Sequence, residues 1–330
     1  MIRVVVAQAP VHIFDMNVLI TGITGMIGSG FATETLKRGW NTYGVARSSA
    51  ASRLAAVDQE NVFRCDILDL EAMAAVFEET KPDIVIHMAA QAFNGMSWKA
   101  EVTTHNTNLF GTRNVLYCAR TQAPKARVLV AGSSASYGQI QPEDCPLKED
   151  RPLRPFSPYG VSKVVTENLG SQYAANYDMA VYLPRLFIHV GTGHPPATAI
   201  QNFARQLALI AAGKQEPIVR VGNLDTRRDF IDVRDGVNAM LLLIEKGEPN
   251  VPVNICTGSE HKISDVLSTL IDISGMDVET VYDEALGRPS DEVTLYGDTS
   301  RLKALGWTQQ YSLRETLQAV FDDWVKRVAA

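Results

Sequence analysis

Residues 16–28 read Met16-Asn17-Val18-Leu19-Ile20-Thr21-Gly22-Ile23-Thr24-Gly25-Met26-Ile27-Gly28. A short apolar strand opens the stretch, glycines stand at 22, 25 and 28, and a helical pattern runs on to about Arg38. The first glycine permits a tight bend. The second lets backbone approach a pyrophosphate, and the third lets the helix pack on its strand. The helix N-terminus then presents free N–H groups to an anion. Glycines in this strand–turn–helix context predict a dinucleotide-binding turn at the head of a doubly wound sheet.

The chain that follows fits such a sheet. A second strand, about Asn41 to Ala46, ends without the acid that a site for NAD(H) wants on the ribose 2′-hydroxyl. It runs instead into Arg47-Ser48-Ser49, with Arg53 nearby. A guanidinium and hydroxyls suit a 2′-phosphate, which favours NADP(H) and leaves NAD(H) possible. A third strand, Asn61 to Arg64, precedes Asp66-Ile67, and a helix is expected from Glu71 to Thr80. A fourth strand, Asp83 to His87, enters Met88-Ala89-Ala90-Gln91, whose small residues let backbone lie against a cofactor. His87 has no neighbouring ligand partners, so it reads as a strand-end histidine satisfied by hydrogen bonds, and no metal site is expected. The loop from Ala92 to Trp98 is placed to cover the site. One long helix is expected from Ala100 to Arg120, then a fifth strand from Ala126 to Ala131 and a sixth from Val181 to Phe187. Strand and helix in alternation imply a parallel sheet.

After about Ile188 the pattern changes. A helix at Thr198–Ala212 and a strand at Ile218–Val221 lead to Arg227-Arg228-Asp229-Phe230. A helix to about Glu245, a strand at Val253–Cys256, and helices at Ile263–Ser274 and Ser312–Val328 complete the chain. The expected fold class is α/β: a doubly wound parallel sheet with a smaller C-terminal α/β domain.

Two stretches carry chemistry. The fifth strand ends in Gly132-Ser133-Ser134-Ala135-Ser136-Tyr137-Gly138, and ligands of doubly wound sheets sit beyond the carboxyl ends of the strands. Ser133 is thus placed to hydrogen-bond a substrate oxygen, although serines also simply form turns. The second stretch is Tyr159-Gly160-Val161-Ser162-Lys163, inside a helix expected from about Ser157 to Tyr173. Side chains four residues apart share a helix face. A phenol titrates near pH ~10, and an ammonium close by lowers that value. Tyr159 can then exchange a proton with an alcohol oxygen while a hydride moves at the carbon.

Composition narrows the alternatives. Of 330 residues, 46% are hydrophobic and 21% charged, which describes a globular protein rather than a disordered one. The formal charge of −6 gives no basic footprint for nucleic acid. No apolar run is long enough to span a membrane. Cys65, Cys118, Cys145 and Cys256 are scattered without metal spacing, which suits a reducing cytoplasm. Cys118 lies on a helix pattern and Cys65 and Cys256 at strand ends, so these three read as buried thiols. Residues 1–15 contain Pro10, lack the apolar core of a signal peptide, and read as an extension of unknown role.

Taken together, these motifs make the chain resemble the extended short-chain dehydrogenase/reductases that act on nucleotide sugars, within the NAD-dependent epimerase/dehydratase family. The glycine turn, Asp66, Asn108-Leu109-Phe110-Gly111-Thr112, Ser133 to Gly138, the Tyr159/Lys163 pair, Pro184-Arg185, Arg228-Asp229-Phe230 and Arg288-Pro289 occur in family order. Within it the chain is most similar to GDP-4-dehydro-6-deoxy-D-mannose reductases and GDP-mannose 4,6-dehydratases, notably over residues 216–224 and 153–160. The resemblance implies that Ser133 orients the C4 oxygen, Tyr159 is the general acid, and Lys163 tunes it. It implies cofactor contacts from Gly22, Thr24, Gly25, Met26, Ile27, Gly28, Arg47, Asp66, Ile67, Ala89, Ala90, Gln91, Asn108, Tyr159, Lys163 and Leu186. It implies substrate contacts from Ser134, Arg185, Asn202, Arg228 and Arg288, with the two last clamping the diphosphate. A homodimer through the Ala100–Arg120 and Ser157–Tyr173 helices is implied as well. So is a division into residues 16–187, rejoined by 229–258, for the dinucleotide, and 188–228 with 259–330 for the nucleotide sugar.

Reduction of a 4-keto-6-deoxyhexose nucleotide with NADP(H) is the expected activity. A 4-epimerase is the alternative, and a 4,6-dehydratase is disfavoured. Dehydratases carry an acid two residues before the tyrosine that closes the strand-end motif; here Ala135 precedes Tyr137. A nucleotide sensor without catalysis is disfavoured because both Tyr159 and Lys163 are retained. The chain departs from its relatives at Ile188, where they carry an amide, and at Thr192, where they carry a proline. Both changes imply an altered substrate pocket.

Overall fold

The computed structural model describes residues 16–47, 57–286 and 293–329. The expectations for residues 1–15, Ser48, Ser49, Arg53, Arg288 and Pro289 lie outside the described residues.

The first half is a run of strands and helices: β1 (Asn17–Thr21), α1 (Met26–Lys37), β2 (Asn41–Ala46), β3 (Val62–Arg64), α2 (Leu70–Thr80) and β4 (Ile84–His87). Next come α3 (Asn94–Ser97), α4 (Glu101–His105), α5 (Gly111–Gln122), β5 (Arg127–Val130), α6 (Pro158–Tyr177) and β6 (Ala180–Leu186). The second half holds β7 (Ile188–Val190), α7 (Ala199–Ala211), β8 (Ile218–Val221), β9 (Arg227–Arg228), β10 (Phe230–Asp232), α8 (Val233–Lys246) and β11 (Pro252–Ile255). It closes with β12 (His261–Lys262), α9 (Ile263–Ser274), β13 (Glu279–Tyr282), β14 (Thr294–Leu295), α10 (Ser300–Ala304) and α11 (Leu313–Ala329).

Seven strands form one parallel sheet in the order β11-β6-β5-β4-β1-β2-β3. Both faces are buried, and successive strand residues feed opposite cores, as the pleat requires. Val18, Ile20, Ile84, Ile86 and Leu129 pack under α1 and α8. Leu19, Val85, Val128 and Val130 pack under α2, α5 and α6. The direction of strand addition reverses between β1 and β4, so a crevice opens at their carboxyl ends. A separate core, from α7, α9, α11 and β8, lies in the C-terminal part.

Two expectations need correcting. The single helix expected from Ala100 to Arg120 is interrupted: a π-helical turn, Asn106–Phe110, stands between α4 and α5. A wide turn of this kind inserts one residue and re-aims the side chains around it. The chain also holds short strands, β7, β9, β10, β12, β13 and β14, where the sequence pattern shows none, because two to four residues are too few for a period of two to appear. Cys65, Cys118 and Cys256 are buried free thiols, as expected. No helix among the described residues is long and apolar enough to cross a membrane.

Candidate functional site

The glycine turn sits at the crevice. Gly22 follows β1 with φ +70°, a left-handed conformation that favours glycine. A Cβ there would stand 2.7 Å from the Ala89 nitrogen, so the turn and the segment after β4 touch backbone to backbone. At Gly28 a Cβ would fall within 2.9 Å of the Gly22 carbonyl carbon, which is why α1 packs so closely on β1. Gly25 is the N-cap of α1 and offers no side-chain cap, so the first-turn N–H groups, those of Met26, Ile27 and Gly28 among them, are left for an anion. This is a cradle that side chains would fill, and it fits a dinucleotide pyrophosphate. Arg47 is exposed at the carboxyl end of β2. Asp66 accepts from the Leu68 N–H at 3.0 Å and shapes the loop after β3, and Ile67 packs against Gly111. Leu186 closes β6.

The π-helical turn has a visible purpose. It brings Asn108, 1% exposed, against both Gln91 and α6. Asn108 Oδ1 accepts from the Gln91 N–H at 2.8 Å, and its Nδ2 donates to the Ser162 hydroxyl at 2.9 Å. Ser162 in turn donates to the Tyr159 carbonyl at 2.7 Å. One amide therefore ties the Ala89–Gln91 segment to the helix that bears Tyr159.

Ser157 caps α6, its hydroxyl accepting from the Gly160 N–H at 3.0 Å, and Pro158 occupies the first turn where its missing N–H costs nothing. From this start Tyr159 and Lys163 leave one face. Lys163 is buried, donates to the Ala131 carbonyl at 2.7 Å, and its ammonium lies 5.8 Å from the centre of the Tyr159 ring. Burial pulls Lys163 down to about 8. Tyr159 differs from expectation: burial pushes its phenol up, and the facing Ser133 hydroxyl offsets only part of that. The ammonium is spent on a carbonyl and stands over the ring rather than at the hydroxyl. In this state the phenol holds its proton.

Ser133 follows the fifth strand by three residues and caps a short 3-10 turn, Ser134–Tyr137, its hydroxyl accepting from the Ala135 N–H at 3.1 Å. Ser133 and Ser134 are both buried, and Ala135 stands half-buried beside α6. His87 behaves as expected of a satisfied histidine. Its ring nitrogens meet Thr21 at 2.7 Å and Thr112 at 3.0 Å. Burial, then the nearby Lys163 charge, lowers it to about 3, so it stays neutral. Among the described residues no group of three or more His, Cys, Asp or Glu could hold a metal.

Arg185 is not where a substrate ligand would be. Its side chain is 4% exposed and is forked on Glu167 at 2.9 and 2.7 Å beneath the site. A guanidinium with these partners has been withdrawn from the cleft, so the expected substrate contact is corrected to an internal ion pair. Asn202 lies apart from the tyrosine helix, on the wall of a cavity of about 400 Å³ that also has Arg205, Gln206, Glu216, Arg220 and Asp283 on its lining. Arg228, half-buried, donates to the Arg227 carbonyl at 2.8 Å. The adjoining Asp229 is fully buried and gathers N–H groups from Thr257 and Gly258, at 2.9 Å each, which fixes this strand against the loop after β11. Ile188 packs into the C-terminal core.

Sequence reasoning missed Arg205 and Arg220, Glu167, and the tethering serine Ser162. Glu167 had a signal: it stands four residues after Lys163, on the same face of a helix already singled out. Ser162 had none, since a serine inside a helix is ordinary.

Known proteins share this fold. A GDP-6-deoxy-D-mannose reductase of Pseudomonas aeruginosa is 32% identical over 266 residues, covering 80% of this chain and 87% of its own. The structure of RMD from Pseudomonas aeruginosa complexed with NADPH superposes with a TM-score of 0.84 at 28% identity, covering 94% of this chain and 100% of that one. A UDP-glucose 4-epimerase of Thermus thermophilus, complexed with NAD, gives 0.81 at 27% identity, covering 94% and 99%. The family model described as GDP-mannose 4,6 dehydratase matches residues 19–320. With the glycine turn, the strand-end serine and the tyrosine–lysine helix in one crevice, and with that match over nearly its whole length, the chain belongs to the GDP-mannose 4,6-dehydratase family.

Proposed function

We infer that this protein is an NADP(H)-dependent nucleotide-sugar oxidoreductase that reduces a GDP-linked 4-keto-6-deoxyhexose at C4. The observation that carries this reading is the grouping of buried Ser133 and Lys163 with half-buried Tyr159 at the crevice, with Ala135 where dehydration would want a carboxylate. The reductase relative from Pseudomonas aeruginosa supports it.

Bound NADPH supplies the hydride that reaches C4. Ser133 donates a hydrogen bond to the C4 oxygen and orients it. Tyr159, kept protonated by burial, gives its proton to that oxygen as negative charge develops. Lys163 stabilises the phenolate left behind. Gly22, Thr24 and Gly25 to Gly28 take the pyrophosphate, and Arg47 the 2′-phosphate. Asp66, Ile67, Ala89, Ala90, Gln91, Asn108 and Leu186 form the rest of the cofactor's surroundings.

For the substrate, Ser134 lies beside the sugar end, and Arg228 with Arg288 engages the diphosphate. The cavity of Asn202, Arg205, Glu216, Arg220 and Asp283 receives the base. Guanine offers ring N–H donors beside a carbonyl acceptor, which carboxylates and guanidinium groups complement. Residues 16–187 with 229–258 serve the dinucleotide, and 188–228 with 259–330 the nucleotide sugar. Exposed Val102, Phe110, Tyr117, Val161 and Tyr177 on α4, the π-helical turn, α5 and α6 support a homodimer through those helices. Four free cysteines support a reducing compartment, the cytoplasm.

The likeness to UDP-glucose 4-epimerases favours a second reading, C4 epimerisation. An epimerase returns its hydride and consumes no cofactor. Incubation with NADPH and GDP-4-keto-6-deoxymannose separates the two: reduction yields one 4-hydroxy product per NADPH oxidised. No absorbance loss with any 4-keto sugar nucleotide overturns the reductase reading.

A further inference from the structure

Arg185 has lost its expected place in the substrate pocket, and its actual contacts assign it another task. Its Nε and one terminal nitrogen fork on Glu167 at 2.9 and 2.7 Å. The other terminal nitrogen donates to the Tyr137 hydroxyl at 3.1 Å and to the Glu149 carbonyl at 2.9 Å. The guanidinium also lies 5.1 Å from the centre of the Tyr137 ring. Both ends of the ion pair are buried, with side chains 4% and 7% exposed.

Each partner leads to a reacting group. Glu167 stands on α6 one turn beyond Lys163 and two beyond Tyr159. Tyr137 closes the 3-10 turn that Ser133 opens. Its hydroxyl donates to Asn254 Oδ1 in β11 at 2.6 Å, so it is anchored to the sheet as well. Asn254 is itself held, its N–H donating to Glu149 Oε1 at 2.8 Å. The Ser133 turn and the Tyr159 helix are therefore bridged by one planar cation. Gly132 completes the joint: a Cβ there would lie 2.8 Å from the Pro184 carbonyl and 3.6 Å from Glu167 Oε2.

Stability alone is a poor reason for such a pair. A buried ion pair repays its desolvation only with excellent geometry, and an apolar pair of similar volume often serves a fold as well or better. What an apolar pair cannot do is fix direction. A fork on a carboxylate sets angle as well as distance.

The geometry points to Arg185 as a positioning residue: held on Glu167, it sets the alignment of the Ser133 hydroxyl with the Tyr159 phenol. This rests on the reading that those two groups act at the C4 oxygen. Small misplacements of such groups are costly, about 100-fold for a displacement of ~1 Å.

The test uses Arg185→Lys, which keeps charge but not the fork, and the double variant Arg185→Met with Glu167→Leu, which keeps an apolar-packed fold without a charged pair. Both are assayed with NADPH and GDP-4-keto-6-deoxymannose, beside Tyr159→Phe. The expected result is kcat reduced by about 100-fold in both, with KM and the NADPH Kd within about threefold of the parent. Loss of rate only in proportion to folded protein, with kcat per folded molecule within about threefold of the parent, overturns the proposal. So does a double variant at parental kcat. Full activity of Tyr159→Phe would instead sink the reading of the site itself, and the two failures are distinguishable.

Discussion

The Lys163 ammonium donates to the Ala131 carbonyl at 2.7 Å and stands 5.8 Å from the centre of the Tyr159 ring, so it lies beside the phenol without touching its oxygen. Burial raises Tyr159 and lowers Lys163 to about 8. The pair is thus a protonated donor beside a cation that is close to losing its charge. A reduction needs both forms, the neutral phenol and the charged amine. Both are present at low and neutral pH. As pH rises, Lys163 discharges first, so kcat/KM is expected to fall on the alkaline side from about pH 8. Lys163→Arg, charged throughout, is expected to carry that limb upward, at reduced overall rate. Tyr159→Phe is expected to lose about 100-fold or more of kcat at every pH. Steady-state rates across pH check all three, and an unshifted limb in Lys163→Arg would remove the lysine from the account.

Gly22 meets the Ala89 backbone with no room for a side chain, at φ +70°. Gly22→Ala is expected to cost about 1–3 kcal/mol in strain and to push the turn out of line. NADPH affinity, read by fluorescence titration, should fall at least about tenfold while the fold survives. Unchanged affinity would mean that the turn does not hold the pyrophosphate.

Arg47 bears on cofactor choice. Arg47→Ala is expected to weaken NADPH by about tenfold and to leave NADH nearly unchanged, because only the first carries a 2′-phosphate. Equal effects on both would move the selectivity elsewhere.

Val102, 72% exposed, stands on α4 and Phe110, 47% exposed, on the π-helical turn, with Tyr117 on α5 and Val161 on α6 exposed as well. An apolar face of this kind wants a cover. Sedimentation should find the parent at twice the mass of the chain and Val102→Glu with Phe110→Glu at the mass of one. A monomeric parent would contradict the dimer.

Much of this was legible in the residues. The sheet declared itself because its strands are short, largely apolar runs alternating with helix patterns, and β2, β8 and α9 fall where the pattern puts them. The glycine turn was legible because its residues act through what they lack. Arg185 was misread for the opposite reason. A charged residue at the end of a strand looks the same in sequence whether it turns into the cleft or down onto Glu167. The π-helical turn was invisible because Asn106 to Phe110 continue an acceptable helix pattern, and only Gln91 and Ser162, distant in sequence, explain the added residue. The depression of the phenol expected from Lys163 failed because spacing fixes a shared face but not where the ammonium spends its hydrogen bond.

The central claim is a one-way transfer of hydride to C4 with a proton from Tyr159. It is tested most directly with NADPH carrying deuterium at the transferable position of its nicotinamide. A GDP-6-deoxyhexose with deuterium at C4 and one NADPH oxidised per sugar are expected, with labelled product formed at least about 100-fold more slowly by Tyr159→Phe. A keto sugar recovered unreduced and free of deuterium, with the cofactor unconsumed, would contradict it.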